Sequence, residues 1–220
     1  MYGKKAVIKP DYRCNNNCYF CWADRENIGN NHKNTSTTEQ VIEKIDRARN
    51  LDVDMVVISG GEPTIRKDLP EMIEHIERKG MVPGVASNLR MFSYREFTEK
   101  IVRKGLRWVH GSFYTRNPET YRKITSTDTF EQNIEGMENV IESEAELLIN
   151  HVVTEENIQE MSENIEFLLR KGIKDLKITM VEPIQDIDTP DIEEFSDKLN
   201  KNIDKFENSF RTLIYEGIPA

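Results

Sequence analysis

Nowhere in the 220 residues does an apolar run approach the roughly 18 residues that a membrane-spanning helix needs. The N-terminal stretch Met-Tyr-Gly-Lys-Lys-Ala-Val-Ile-Lys carries no secretory h-region. Positive charge is also short: 30 Lys and Arg stand against 39 Asp and Glu, for a net charge of −9 and a pI near 5.1. Such a balance excludes a general nucleic-acid binder, which needs a basic face for phosphates, but leaves room for a basic pocket around one small anion. Cysteine is scarcer still, with three residues and none after Cys21. That excludes a disulfide framework and any further thiolate cluster downstream, and fits a reducing, cytoplasmic interior. What remains is 37% apolar and 31% charged, a soluble chain of 25.7 kDa, the size of one large domain with a substantial core.

The three cysteines lie within eight residues, in Asp11-Tyr12-Arg13-Cys14-Asn15-Asn16-Asn17-Cys18-Tyr19-Phe20-Cys21-Trp22. A disulfide there would leave one thiol over and strain a tight loop, whereas three thiolates can converge on a metal centre. A closed structural zinc site needs four protein ligands. With three, the fourth position falls to His32, to an exogenous ligand or to another chain. An open position is the mark of metal chemistry rather than metal scaffolding.

Around this loop the chain alternates in strand and helix patterns. Apolar runs at 6–10, 55–59, 82–87, 106–112, 146–153 and 175–180 read as six strands. Between them lie helical spacings, opened by Ser36…Glu39, Asp68…Glu71, Ser93…Glu96, Thr129…Gln132 and Asn157…Glu160 as capping boxes. Arg78-Lys79-Gly80, Arg103-Lys104-Gly105 and Arg170-Lys171-Gly172 each end a helix, the cations meeting the negative end of its dipole and glycine accepting positive φ. A βα rhythm gives a parallel sheet. Six units fall short of the ~250 residues of an eight-stranded barrel, so an α/β fold built as a partial, open β/α barrel is expected, with a doubly wound open sheet as the alternative. In either, the ligand edge is the carboxyl ends of the strands. The cysteine loop, residues 59–64, Ser87-Asn88 and Ser112 share that edge. Beyond it, Asp191–Phe206 reads as an amphipathic helix, and 211–215 as a short last strand or the stub of a shortened chain.

Cys14-x3-Cys18-x2-Cys21, with Phe20 before the last cysteine, and Gly60-Gly61-Glu62-Pro63 after the second strand resemble the two signatures of the radical S-adenosylmethionine (SAM) superfamily. Motif order and strand spacing agree through about Val181. The resemblance implies a core domain over 1–182, with 183–220 as a C-terminal helix and tail. It implies a [4Fe–4S] cluster on Cys14, Cys18 and Cys21, its open iron chelated by the amino and carboxylate groups of SAM. One electron from a flavodoxin- or ferredoxin-type donor would cleave SAM to methionine and a 5′-deoxyadenosyl radical, which takes a hydrogen from substrate. By the same resemblance Gly60, Gly61, Glu62 and Pro63 border the SAM amino group, and Ser112 and Arg122 hold its carboxylate. Ser87 and Asn88 meet the ribose or methionine part, and Val153 and Val181 flank the adenine. Where many relatives read Thr-Asn-Gly, this chain reads Ser87-Asn88-Leu89.

Plainer readings stand beside these. A Cys3His zinc module using His32 is the competing function, and zinc in the purified protein with indifference to SAM is its mark. Arg122 is by default a solvated loop cation. His75 and His110 fit packing or surface positions, Trp108 and Phe113 the core or a pocket wall, and the acidic runs 142–146 and 186–194 solvated faces. The substrate is read as a small molecule or cofactor precursor first and a peptide second.

Overall fold

The computed structural model describes residues 3–21, 35–181 and 189–216. His32, the ligand of the zinc alternative, and 186–188 of the acidic run lie outside them. Seven strands form one sheet in sequence order: β1 (Lys5–Asp11), β2 (Met55–Gly60), β3 (Val82–Ser87), β4 (Trp108–Phe113), β5 (Glu146–Val153), β6 (Asp175–Met180) and β7 (Thr212–Glu216). A doubly wound sheet reverses its strand order midway, and this one does not. With β1 and β7 at the two ends of the order, the sheet stays open rather than closing on itself. The seventh strand exceeds the expected six: the short run after Arg211 pairs in parallel with β6, Asp175 opposite Thr212 through Thr179 opposite Glu216.

Backbone contacts divide the chain into two compact units. The first holds Met1–Asn15, Cys21–His110 and Gln132–Glu146. Here β1 and β3 flank β2 in parallel, Val56 facing Ala6 on one side and Pro83 on the other. The helices are α1 (Thr38–Asn50), α2 (Leu69–Arg78), α3 (Arg95–Arg103) and, further on, α5 (Phe130–Ile141). They bury Val41 and Ile45, Leu69, Met72, Ile73 and Ile76, Ile101, and Met137 and Val140. This is the 3.6-residue stripe of a helix with one face on a sheet. The register between β1 and β2 slips by one residue between Ile8 and Asp11, around Pro10, which has no N–H to give to a ladder.

The second unit holds Asn16–Phe20, Gly111–Glu131 and Leu147–Ala220. It carries α4 (Pro118–Thr125), α6 (Met161–Arg170) and α7 (Ile192–Phe206), and β5 and β6 pair in parallel from Leu148–Asp175 to Val153–Met180. Helix α7 begins as expected, Asp191 accepting from Glu193 and Glu194 N–H groups. Among the described residues no helix is long and apolar enough to cross a membrane.

Several helix starts differ from the sequence expectation because the capping side chains are otherwise engaged. Thr37, not Ser36, caps α1, with Gln40 completing the box. Asp68 precedes α2 but gives its carboxylate to Arg66 and Thr38. Ser93 donates to the Arg90 carbonyl inside a 3₁₀ turn, so α3 waits until Arg95. Asn157 ties Thr154, Tyr114 and Val152 together, and α6 starts at Met161. The helix ends follow expectation, with Gly80, Gly105 and Gly172 at φ +73°, +108° and +84°. His75 pairs with Asp46, while Trp108 and Phe113 are buried.

His151 on β5 is fully buried beside the Phe113 ring, with centroids 5.7 Å apart. Burial holds its ring down to about pKa 4, against a smaller raising effect of the Phe113 backbone. The unfolded chain, titrating near 6.5, therefore binds a proton that the fold refuses. Stability should be full above pH 6.5 and fall by about 2 kcal/mol between pH 7 and 5 from this group alone. Urea unfolding followed across that range checks it: His151→Leu should flatten the slope, and an unchanged slope refutes the assignment.

Candidate functional site

The site starts where β1 and β2 run out side by side. Gly61 N–H donates to the Asp11 carbonyl at 3.0 Å and Glu62 N–H to that of Arg13 at 2.8 Å, so the second motif is zipped to the arm that leads into Cys14. Only glycine permits this approach. Gly60 sits at φ +123°, and a Cβ on it would lie 2.0 Å from the Asp11 oxygen. One on Gly61 would lie 2.3 Å from the carbonyl oxygens of both Tyr12 and Arg13. The neighbour these glycines admit is the cysteine arm itself.

Buried charge fixes the same arm from beneath. Asp11 accepts from Arg13 N–H at 2.9 Å and Nε at 2.6 Å, with the Arg66 guanidinium 3.7 Å away. Burial pushes its carboxyl up, but the Arg13 hydrogen bonds and the two cations override that and hold it below the ordinary range. Arg66, itself buried, also grips Asp68 and the Ser36 carbonyl.

Glu62 is 2% exposed, and its carboxylate collects four donors. Oε1 accepts from Thr64 N–H at 3.0 Å, Thr64 Oγ1 at 2.5 Å and Ser87 Oγ at 3.0 Å; Oε2 accepts from Asn88 N–H at 2.6 Å. Burial raises its pKa, and the four donors pull against that rise. The carboxylate thus fastens the end of β2 to the end of β3, and Pro63, buried, opens the 3₁₀ turn between Glu62 and Arg66. Asn88 reaches back to the cysteine loop: its Nδ2 donates to Asn15 Oδ1 at 2.7 Å and lies 3.8 Å from Cys14 Sγ. Arg90 donates to the Asn15 carbonyl and, at 2.9 Å, to Gln132. Leu89 is fully buried and takes φ +69°, a conformation its packing must hold against strain.

In the second unit, the middle of the loop docks on the last turn of α4. Asn17 and Tyr19 N–H groups donate to the carbonyls of Thr125 and Ile124, at 3.0 and 3.3 Å. Cys18 Sγ stands 3.8 Å from the Tyr114 hydroxyl. Phe20 lies 5.9 Å, ring to ring, from Tyr114 and 5.6 Å from Tyr19. Tyr114, Tyr121, Ile124, Val152 and Val181 form one buried cluster, against which Cys18, Tyr19, Phe20 and Phe130 pack. Tyr19 donates its hydroxyl to Glu156; burial and that carboxylate push the phenol well up.

The candidate residues divide accordingly. Cys14, Gly60, Gly61, Glu62, Pro63, Ser87 and Asn88 join in one bonded network of the first unit, at the carboxyl ends of β1 to β3. Phe20 and Val181 share the apolar cluster of the second with Val152, which strand alternation alone could have picked out. Val153 is fully buried and its carbonyl accepts from Val181 N–H at 3.0 Å. Ser112 is half-buried near the end of β4. Arg122, expected in a loop, lies on α4, exposed and 3.8 Å from Asp128, because Pro118 and the Asn117 cap turn the polar stretch after β4 into a helix. Asn15, Arg90 and Tyr114 went unnoticed in the sequence, since their contacts span long separations and no local pattern marks them.

None of the three cysteines is in a disulfide, Cys14 being exposed and the others half-buried. Among the described residues no three His, Cys, Asp or Glu side chains are gathered at metal-ligating distance. The donor set itself fits an iron–sulfur cluster: three thiols in one loop with no disulfide among them, two with an amide or hydroxyl group beside the sulfur, which is how proteins support cluster thiolates.

Comparison with known proteins sharpens this. The family model of the Radical SAM superfamily matches residues 8–168, which include both motifs. A "Probable GTP 3',8-cyclase" of Saccharolobus islandicus (strain L.S.2.15 / Lassen #1) is 28% identical over 196 residues, covering 85% of this chain and 62% of that protein. The chain therefore spans about three fifths of the length of the curated relatives it matches. Among solved structures, Streptococcus suis SuiB bound to S-adenosylmethionine superposes with a TM-score of 0.80 at 17% identity, over 98% of this chain and 51% of that one. The same protein bound to precursor peptide SuiA gives 0.78 at 18% identity, over 98% and 49%. At such identities the likeness carries the fold, the partial barrel of that architecture.

Proposed function

Because the chain belongs to the radical SAM superfamily, whose members use a [4Fe–4S] cluster and SAM, we propose that it is an enzyme that cleaves SAM reductively and abstracts a hydrogen from its substrate. The family-model match across 8–168, spanning both the cysteine loop and Gly60–Pro63, is the observation that carries this reading. Residues 1–182 form the core in this reading and 183–220 its C-terminal helix and tail. Cys14, Cys18 and Cys21 hold the cluster. Bound there, the cluster supplies the electron that breaks the C5′–S bond of SAM, leaving methionine and a 5′-deoxyadenosyl radical that becomes 5′-deoxyadenosine on taking the substrate hydrogen.

The chain's own residues bind, orient and shield. Backbone at Gly60–Pro63 borders the SAM amino group, and the Glu62 carboxylate keeps that backbone in register with β3. Ser112 and Arg122 hold the SAM carboxylate; Arg122, exposed on α4, exchanges its solvent-exposed 3.8 Å pairing with Asp128 for that carboxylate. Ser87 and Asn88 bracket the ribose or methionine part; Ser87 Oγ and Asn88 N–H are engaged by Glu62, Asn88 Nδ2 donates to Asn15 and Asn88 Oδ1 accepts from Arg90 N–H, so the second lone pair of that oxygen is the contacting group. Phe20, Val153 and Val181 wall the adenine side and keep water away from the radical. A flavodoxin- or ferredoxin-type protein delivers the electron, in the cytoplasm, where the thiols stay reduced.

The substrate is a small molecule, and the names of the curated relatives make GTP the first candidate. A peptide is the second, since SuiB, similar in fold, has a structure bound to precursor peptide SuiA. Anaerobic reconstitution should give about four irons per chain, and dithionite with SAM should yield 5′-deoxyadenosine. Deuterated GTP and deuterated peptides then compete as sources of label in that product. A zinc-loaded protein indifferent to SAM, or a reduced four-iron cluster that leaves SAM intact, overturns the reading.

A further inference from the structure

Cys18 is the best-positioned of the three thiols. The backbone N–H groups on either side of it, of Asn17 and Tyr19, are both taken by α4 carbonyls, so the residue cannot slide along the loop without breaking two hydrogen bonds. The Tyr114 hydroxyl stands 3.8 Å from its sulfur. Tyr114 is equally fixed. It is 5% exposed, its ring packs at 5.9 Å against both Phe20 and Tyr121, and its carbonyl accepts from Asn157 Nδ2 at 2.7 Å. Asn157, fully buried, is held in turn through Thr154 N–H at 2.8 Å and the Val152 carbonyl at 2.8 Å. A buried polar network of this kind sets the phenol's position before any cofactor arrives.

The polarity of the pair depends on the state of the sulfur. As a thiol, Cys18 carries the proton and donates to the phenol oxygen. As a metal-bound thiolate it has none, and the phenol O–H becomes the donor. A hydrogen bond to a ligand sulfur withdraws negative charge and favours the more negative, reduced cluster.

Resting on the function proposed above, we propose that Tyr114 is a positioning residue that donates its O–H to the Cys18 sulfur in the cluster-loaded enzyme and thereby raises the reduction potential of the cluster. The bond comes from the residue that follows β4.

Tyr114→Phe keeps the ring and its packing and deletes only the hydroxyl. In the anaerobically reconstituted protein, potentiometric titration followed by electron paramagnetic resonance should show the reduction equilibrium about tenfold less favourable, about 59 mV more negative for one electron. Tyr114→3-fluorotyrosine, a stronger donor of the same shape, should move the potential the opposite way, and serves if the phenylalanine variant takes up iron poorly. A purely structural role for Tyr114 would not reverse sign between the two. In the metal-free, reduced chain, alkylation mapped by mass spectrometry should change at Cys18 in Tyr114→Phe and stay constant at Cys14 and Cys21. A parent chain with a full four-iron cluster and variants of unchanged potential overturns this role alone. A parent that builds no such cluster overturns the function proposed above and this role together.

Discussion

Replacing Cys14, Cys18 or Cys21 by alanine, one at a time, is expected to abolish formation of 5′-deoxyadenosine. Two thiolates cannot hold a four-iron cluster whose fourth position must stay free for SAM, so iron should fall well below the roughly four per chain of the parent. The fold should not notice. Cys14 is exposed and the other two half-buried, so truncation leaves no large cavity and should move stability by no more than about 0.5 kcal/mol. Iron content, the visible spectrum and urea unfolding measured on the same samples separate loss of the cluster from loss of structure. A variant that stays brown and cleaves SAM at the parent rate removes that cysteine from the ligand set.

Glu62→Ala should fail for the opposite reason, through the scaffold. The substitution leaves the N–H groups of Thr64 and Asn88 buried without acceptors, while the Ser87 and Thr64 hydroxyls must reorient. At about 1–3 kcal/mol for each buried orphan, the loss should reach about 4 kcal/mol and appear as a lower urea midpoint. SAM affinity should collapse with it, because Gly60–Pro63 and Ser87–Asn88 lose their shared fastening. Glu62→Gln keeps one acceptor oxygen but turns an NH2 toward a donor, and should fall between. If instead Glu62→Ala matches the parent in stability and only SAM binding suffers, the carboxylate serves the ligand and not the scaffold.

The fold was open to reading because its signals are local. Apolar runs and Arg-Lys-Gly helix ends repeat at βα spacing, and the run β2, buried from Met55 to Ile58, is what a strand covered on both sides looks like. The seventh strand was legible only in part, as the short run at 211–215 that could equally be read as a stub. A helix start drifted by a few residues where the capping side chain found a more distant partner, as Asn157 did, while Asp68 kept its place before the helix and lost only its capping bond. The site was legible in its motifs and opaque in its wiring. Spacing marked the three cysteines and Gly60–Pro63, but not that the glycines seat the cysteine arm, nor that Glu62 binds the end of β3. Asn88 and Tyr114, the partners of Cys14 and Cys18, stand 74 and 96 residues away from them, beyond the reach of any periodicity.

Those same separations have a consequence for biosynthesis. With each strand beside its successor in the sheet, the chain can add one unit at a time as it leaves the ribosome. The front of the cysteine loop finds its seat as soon as β2 and β3 have emerged and Glu62, Ser87 and Asn88 can meet. Its centre must wait for Tyr114, Ile124 and Thr125, which at about 5–20 residues per second follow a few seconds later. During that interval the Asn88 contact of Cys14 can form while the Tyr114 contact of Cys18 cannot. Under the function proposed above, iron delivered to the nascent chain would meet a half-built ligand set, and cluster insertion would follow the folding of α4.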